Sequence, residues 1–386
     1  MRNLLVLALL VLCGCGSEPR VPPSNEMAQV VTLPMQLDEV HASIEVTVNG
    51  RPARLLLDTG ADQIVLSATA AQRLGLPVRS TGTRGFGAAG TYTASTIAIT
   101  DLGAGAIHRR NLTAYVVPFP EEFVYDGVLG TPFFSTVLTT LDYQQRTVTL
   151  RSHAPLERSA DDVQIPMRIE SGKVLVLASA ARVTGWFCGD TGAGNALTFF
   201  TPAVKQYGLR DAFLPSVRTI TGVSAGGYTR GTLVRVPDLT IGPFTLKRVV
   251  AELSEAEQGA FASDQYAGNL GGELWSRFKV TFDYANGQMS LTPNETFTQP
   301  FVGPRSGLSA SLVDGVLQAV DVVAGSPAAE AGLRIGDVIE KMNGAGTDAR
   351  RVTLALHAAP GTRVRLTVRD ASGAVREVEL VLRELL

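Results

Sequence analysis

Cysteine, histidine, aromatic side chains and runs of like charge are all scarce in this chain, and each scarcity excludes something. Three cysteines occur in 386 residues: Cys13 and Cys15 at the end of an N-terminal apolar run, and Cys188 alone in the middle. Cys188 is left without an intramolecular partner, so the mature fold holds no internal disulfide. The four histidines, His41, His108, His153 and His357, are isolated and no Cys/His spacing suits zinc, so neither a metal nor another cofactor is expected. Lys and Arg (34) nearly balance Asp and Glu (36), the formal net charge is −2, and the basic residues are scattered without interleaved aromatics. That pattern excludes nucleic acid as a partner. The apolar run Leu4 to Leu12, behind Arg2, is too short to span a bilayer and has the proportions of a secretion signal.

What is present is a packed globular chain: 45% hydrophobic and 18% charged residues, long enough for two or three domains. Gly 39 and Pro 20, among many short alternating apolar stretches, predict a turn-rich, mainly β protein. Alternation marks Ala42 to Val48, Ala53 to Leu57, Tyr92 to Ile99 and Leu112 to Val117, and again Val174 to Leu177, Thr229 to Val236 and Phe244 to Leu253. Helix-like patches cover Ala68 to Leu74 and Thr201 to Tyr207.

Two copies of one tetrapeptide, Asp58-Thr59-Gly60-Ala61 and Asp190-Thr191-Gly192-Ala193, lie 132 positions apart (190 minus 58). Gly127-Val128-Leu129-Gly130 is echoed by Gly268-Asn269-Leu270-Gly271, and both halves then reach Asp-Tyr at the same distance (142 minus 130 and 283 minus 271, both 12). An ordered set of matches, closed by strand-like tails at Arg146 to Leu150 and Gln288 to Leu291, marks a duplicated unit.

On these residues the chain resembles aspartic proteases of the pepsin and retropepsin superfamily over roughly 260 residues. The resemblance implies a pair of β barrels in two lobes, each giving one Asp to a shared water, and a monomeric core that needs no homodimer. Asp58 and Asp190 are then the catalytic pair, since two carboxyls held close share one proton and divide the roles of acid and base. It also implies that the Thr59 and Thr191 hydroxyls cross-brace the two loops, while Gly60 and Gly192 let backbone approach the carboxylates. Ala61 and Ala193 stand where pepsin-like relatives often have Ser or Thr; without that hydroxyl donor, activity is expected in mild rather than strong acid. Gly189, where the first half has Leu57, is expected to hold its carboxylate less firmly, and Cys188 reads as a small core residue with nothing cationic beside it.

Gly85 to Gly90 satisfies GxGxxG but leads into a strand rather than the helix that a dinucleotide site requires, and the GxSxG match at Gly222 to Gly226 also lacks its helix. Both stretches fall where the resemblance implies flap hairpins over the cleft, with Phe86, Tyr92 and Tyr228 as flap candidates.

Leu12-Cys13-Gly14-Cys15 resembles a bacterial lipobox, with Cys15 the lipidated residue, and Gly16 after it suggests the periplasmic side of the outer membrane. Residues 16 to 33 read as a linker. After Pro300 to Pro304, the segment Val320 to Leu333, followed by Gly336-Asp337-Val338-Ile339 and Met342-Asn343-Gly344, resembles a bacterial PDZ domain. That resemblance implies an α+β fold in which Ser306, Gly307, Leu308 and Ser309 form a carboxylate-binding loop, and the helix Arg350 to His357 borders a groove for C-terminal or internal peptides. The expected domains are a lipoprotein signal and anchor at 1 to 15, the linker, lobes at 34 to 152 and 153 to 298, and the PDZ module at 299 to 386. The implied protein is a membrane-anchored endopeptidase acting on extended polypeptides. A peptide-binding lipoprotein that does not cut is the competing reading; the paired Asp and Thr residues favour the enzyme.

Overall fold

A computed structural model describes residues 11–12, 29–152 and 159–386 of the chain. The expected signal and anchor, with Cys13 and Cys15, most of the linker, and His153 lie outside these residues, apart from the two-residue strand Val11–Leu12 paired with Phe86 and Gly85.

The architecture is mainly β, in two lobes with a smaller α+β module, as the alternation and the repeat imply. In the first lobe the strand Arg51–Leu57 pairs in parallel with Gly127–Leu129, and in the second Val183–Gly189 pairs in parallel with Gly268–Leu270. The GxLG motif is thus a short buried strand that locks the strand carrying the Asp. Glycine is needed where strands converge: a Cβ on Gly127 would stand 2.1 Å from the Val65 carbonyl oxygen, and one on Gly268 2.0 Å from that of Thr198.

The lobes are joined beneath by six strands, three from each half, in the order Val163–Glu170, Gln288–Pro293, Phe278–Asp283, Leu138–Asp142, Thr147–Ser152 and Gln29–Pro34. At its centre Thr140 pairs with Thr281, their hydroxyls 2.8 Å apart. These threonines are equivalent in the repeat (140 minus 130 and 281 minus 271, both 10), so the pseudo-twofold axis passes between them. The Asp of each Asp-Tyr caps the turn between the paired strands: Asp142 accepts the Gln145 amide at 2.8 Å and Asp283 that of Asn286 at 3.1 Å. The end of the expected linker differs from its reading: Gln29–Pro34 is the outer strand of this sheet, because its alternate residues Val31 and Leu33 pack on the core.

The helices Ala68–Arg73 and Thr201–Gln206 follow the two tetrapeptides, the first capped by Ser67 and the second opening on Pro202. The C-terminal module has its own core, around Leu317, Ile339, Val352 and Leu366. Its sheet ends in the edge strand Leu308–Val313, which the helix Ala349–Leu356 borders. The boundary at Pro300 to Pro304 is held firmly: the Arg277 guanidinium donates to the carbonyls of Thr296, Phe297 and Gln299 and stacks 3.7 Å from the Phe301 ring.

Candidate active site

Asp58 and Asp190 follow equivalent strands, and each backbone amide donates to the Leu of the neighbouring GxLG strand: Asp58 to Leu129 O at 3.1 Å, Asp190 to Leu270 O at 2.8 Å. Each carboxylate turns back on its own loop. Asp58 Oδ1 accepts the amides of Gly60 (2.8 Å) and Ala61 (3.0 Å), and Asp190 Oδ1 those of Gly192 (2.9 Å) and Ala193 (3.0 Å). The loops brace each other: Thr59 Oγ1 donates to Gly189 O and Thr191 Oγ1 to Leu57 O, both at 2.7 Å, while each hydroxyl also accepts the other threonine's amide at 3.1 Å. A Cβ on Gly60 would lie 2.5 Å from the Asp190 carboxyl carbon, and one on Gly192 2.4 Å from that of Asp58. Only glycine lets the two loops meet this closely.

The pair is buried, Asp58 1% and Asp190 0% exposed, and its members share a hydrogen bond. Burial pushes both carboxyls above their ordinary value. For Asp58 the facing Asp190 reinforces this, so it is raised well up. For Asp190 the rise is opposed first by Asn269, whose Nδ2 donates to Oδ2 at 2.7 Å. Asn269 went unassigned in the sequence, although the signal was there: a polar residue inside an apolar GxLG strand whose twin carries Val128.

A Cβ on Gly189 would meet the Trp275 ring and Val174 at 3.3 Å, so these side chains close the space that Gly189 leaves, and Asp190 accepts its loop amides just as Asp58 does. Cys188 is buried as expected, its thiol pushed up by burial and by Asp190, but Lys173 does lie near enough for its charge to be felt there. A second buried acid, Glu252, accepts from Thr221 Oγ1 (2.6 Å), Asn195 Nδ2 (2.7 Å) and Thr198 Oγ1 (3.1 Å), and burial raises it to about 7.

Both Gly-rich motifs are hairpin tips, at the turns after Arg79–Phe86 and Ser216–Ser224. The first tip reaches onto the second lobe: Gly87 and Ala88 carbonyls accept the amides of Ala260 and Phe261, each at 2.9 Å, and Ala88 is buried with Cys188, Phe200 and Phe261. The tips also meet, since a Cβ on Gly90 would stand 2.2 Å from Gly226 O. Phe86 is partly buried with the Arg84 guanidinium 5.7 Å from its ring; Tyr92 packs into the first lobe with Leu56, Ala61 and Phe123; Tyr228 is 42% exposed. These flap candidates occupy three different surroundings.

Tyr228 lines a cavity of about 440 Å³ between the lobes and the C-terminal module, with Tyr125, Ile220, Leu308, Leu312 and Thr353. In the loop before the edge strand, Ser306 is buried and its hydroxyl accepts the Leu308 amide at 3.2 Å; Gly307 takes a left-handed φ of 68°. Two of the carboxylates that cross into this region accept backbone amides. Glu122 of the first lobe accepts the Leu312 amide at 2.8 Å and a bond from the Ser311 hydroxyl. Asp321 of the module accepts from the Thr219 hydroxyl (2.8 Å) and the Ile220 amide (3.0 Å) at the base of the second hairpin.

Among solved structures, the chain is similar to an aspartic proteinase from Irpex lacteus, with 13% identity over 70% of this chain and 99% of that one and a TM-score of 0.44. It is also similar to a retropepsin-like aspartic protease from Rickettsia conorii, with 18% identity over 33% of this chain and 92% of that one and a TM-score of 0.25. No curated protein matches. Residues 44–133, which carry Asp58 and the first GxLG, match the family model described as aspartyl protease, and residues 318–370 match the one described as PDZ domain.

Proposed function

We propose that the protein is an endopeptidase in which Asp58 and Asp190 activate one water between them. The observation that carries this reading is the buried, hydrogen-bonded carboxyl pair held by reciprocal threonine bonds. One carboxylate takes a proton from the water as its oxygen bonds to the scissile carbonyl carbon, and the other carboxyl gives its proton to the carbonyl oxygen. Collapse of the resulting diol breaks the C–N bond, with a proton passing to the leaving amine. No covalent acyl-enzyme forms. The hairpin tips, which meet each other, must part to admit an extended chain and then exclude bulk water. The working range is expected in mild acid, since burial raises both carboxyls.

The edge strand Leu308–Val313 and the helix beside it offer a second peptide an added-strand position, through which the PDZ domain recruits or positions polypeptides. We further propose that the chain is exported and anchored through lipid on Cys15, on the periplasmic face of the outer membrane.

The test is cleavage of a mixed peptide library by the full chain from about pH 4 to 7, beside Asp58→Asn and Asp190→Asn. Cleavage lost in both variants is the expected result. Peptides retained but uncut by the parent would overturn it in favour of a binding lipoprotein.

A further inference from the structure

One buried position sets the two halves apart in the side-chain hydrogen bonds given to the carboxyl pair. Where the first half has Val128, the second has Asn269, whose Nδ2 donates to Asp190 Oδ2 at 2.7 Å. Ala61 and Ala193 offer methyl groups and so give neither carboxyl a side-chain donor. Asp190 therefore accepts three protein N–H groups, from Gly192, Ala193 and Asn269, whereas Asp58 accepts two, from Gly60 and Ala61.

We propose that Asn269 breaks the symmetry of the pair, holding the shared proton on Asp58 and leaving Asp190 as the base that takes the proton of the attacking water. This rests on the two-aspartate peptidase reading. Donors aimed at a carboxylate favour its ionised form, and a charge-assisted bond of this length is among the stronger ones. Asn269 bonds Asp190 rather than the reacting atoms, so it is a positioning residue. In the reaction Asp190 gains the water proton while Asp58 passes its own to the carbonyl oxygen, and the proton on Asp190 then leaves with the amine.

The neighbouring titratable groups do not supply this asymmetry. Burial pushes the Cys188 thiol and the Tyr284 hydroxyl up, so both stay uncharged, and His41, near the Gly192 backbone, is lowered to about 4 and is neutral in mild acid. Lys173 is charged and its field is felt at Cys188, but the leading influences on Asp190 are burial, Asn269, Asp58 and the amides of Gly192 and Ala193.

The experiment follows the Asp carboxyl carbons by NMR through a pH titration of the full chain, alongside the pH dependence of kcat/KM, for the parent, Asn269→Val and Asn269→Asp. The parent is expected to show Asp190 ionising first. In Asn269→Val that ionisation, and the acid limb of kcat/KM with it, should move up by about one pH unit, with KM little changed. Asn269→Asp should keep activity in acid, where its own carboxyl is protonated and can donate, and lose it roughly tenfold by about pH 6, where the added carboxyl ionises beside Asp190. A parent in which Asp58 ionises first, or an Asn269→Val variant slowed equally at every pH, would overturn the proposal. If the parent cleaves nothing, the peptidase reading fails separately, and the carboxyl titrations still decide where the proton sits.

Discussion

Thr191 has an oxygen with three tasks in a space closed to water: it donates to Leu57 O, accepts the Thr59 amide and lies within 3.5 Å of Thr59 Oγ1. Thr191→Val keeps the shape and removes that oxygen, leaving a buried carbonyl and a buried amide without partners. Destabilisation of about 2–4 kcal/mol is expected in urea unfolding, and Thr191→Ser, which keeps the hydroxyl, should recover most of it. Gly60→Ala tests a different contact, the 2.5 Å approach to Asp190. It should reduce kcat at least a hundredfold by displacing a carboxyl, with a smaller effect on KM. These roles were legible through the family resemblance that the twice-occurring tetrapeptide carries. Asn269 and Trp275 were not legible in the same way: Asn269 acts on a residue 79 positions earlier, and Trp275 fills the place of a side chain that Gly189 lacks.

At the scale of the elements, long half-buried strands such as Thr91–Ala104 announced themselves by alternation, whereas the three-residue strands did not. Gly127–Leu129, Leu197–Phe199 and Gly268–Leu270 are buried throughout, so no polar face gives them a period. The strand Phe244–Ser254 hides Glu252 for a related reason, since its acceptor bonds come from the strand Leu197–Phe199, from Asn195 and from Thr221 at the bulge between Ile220 and Gly222. The carboxyl rises from 4.5 in the unfolded chain to about 7 in the fold, so the folded state holds a proton that the unfolded state releases. The corresponding stability is fully present below about pH 4.5 and is lost as pH rises through about 7, on the order of 3 kcal/mol. The urea midpoint of the parent should therefore fall between pH 5 and 8 more steeply than that of Glu252→Gln, which carries no titrating proton there. Parallel slopes would mean that Glu252 is ionised in the fold throughout.

The whole molecule combines a near-symmetric two-lobed body with a module that breaks its symmetry. The twofold relation runs from Thr140 and Thr281 in the base sheet up to Thr59 and Thr191 between the carboxyls, and it followed from the matched spacings in the sequence. The placement of the C-terminal module did not, because it is held by scattered polar contacts with no pattern of their own, among them Asp321 of the strand Val316–Val322 on the second hairpin and Glu122 of a first-lobe turn on the edge strand. Glu122 has the larger consequence. The Leu312 amide points out of the edge of its sheet, where an added peptide strand would offer a carbonyl, and the Glu122 carboxylate already occupies it. A peptide entering the groove must displace this bond, and a hydrogen bond to a charged group contributes roughly 1.5–3 kcal/mol. Glu122→Ala should therefore bind short apolar C-terminal peptides about tenfold more tightly by fluorescence polarisation, whereas Glu122→Gln, which keeps an acceptor but not the charge, should fall between. Equal affinities in all three proteins would show that Glu122 does not compete with a peptide for this edge.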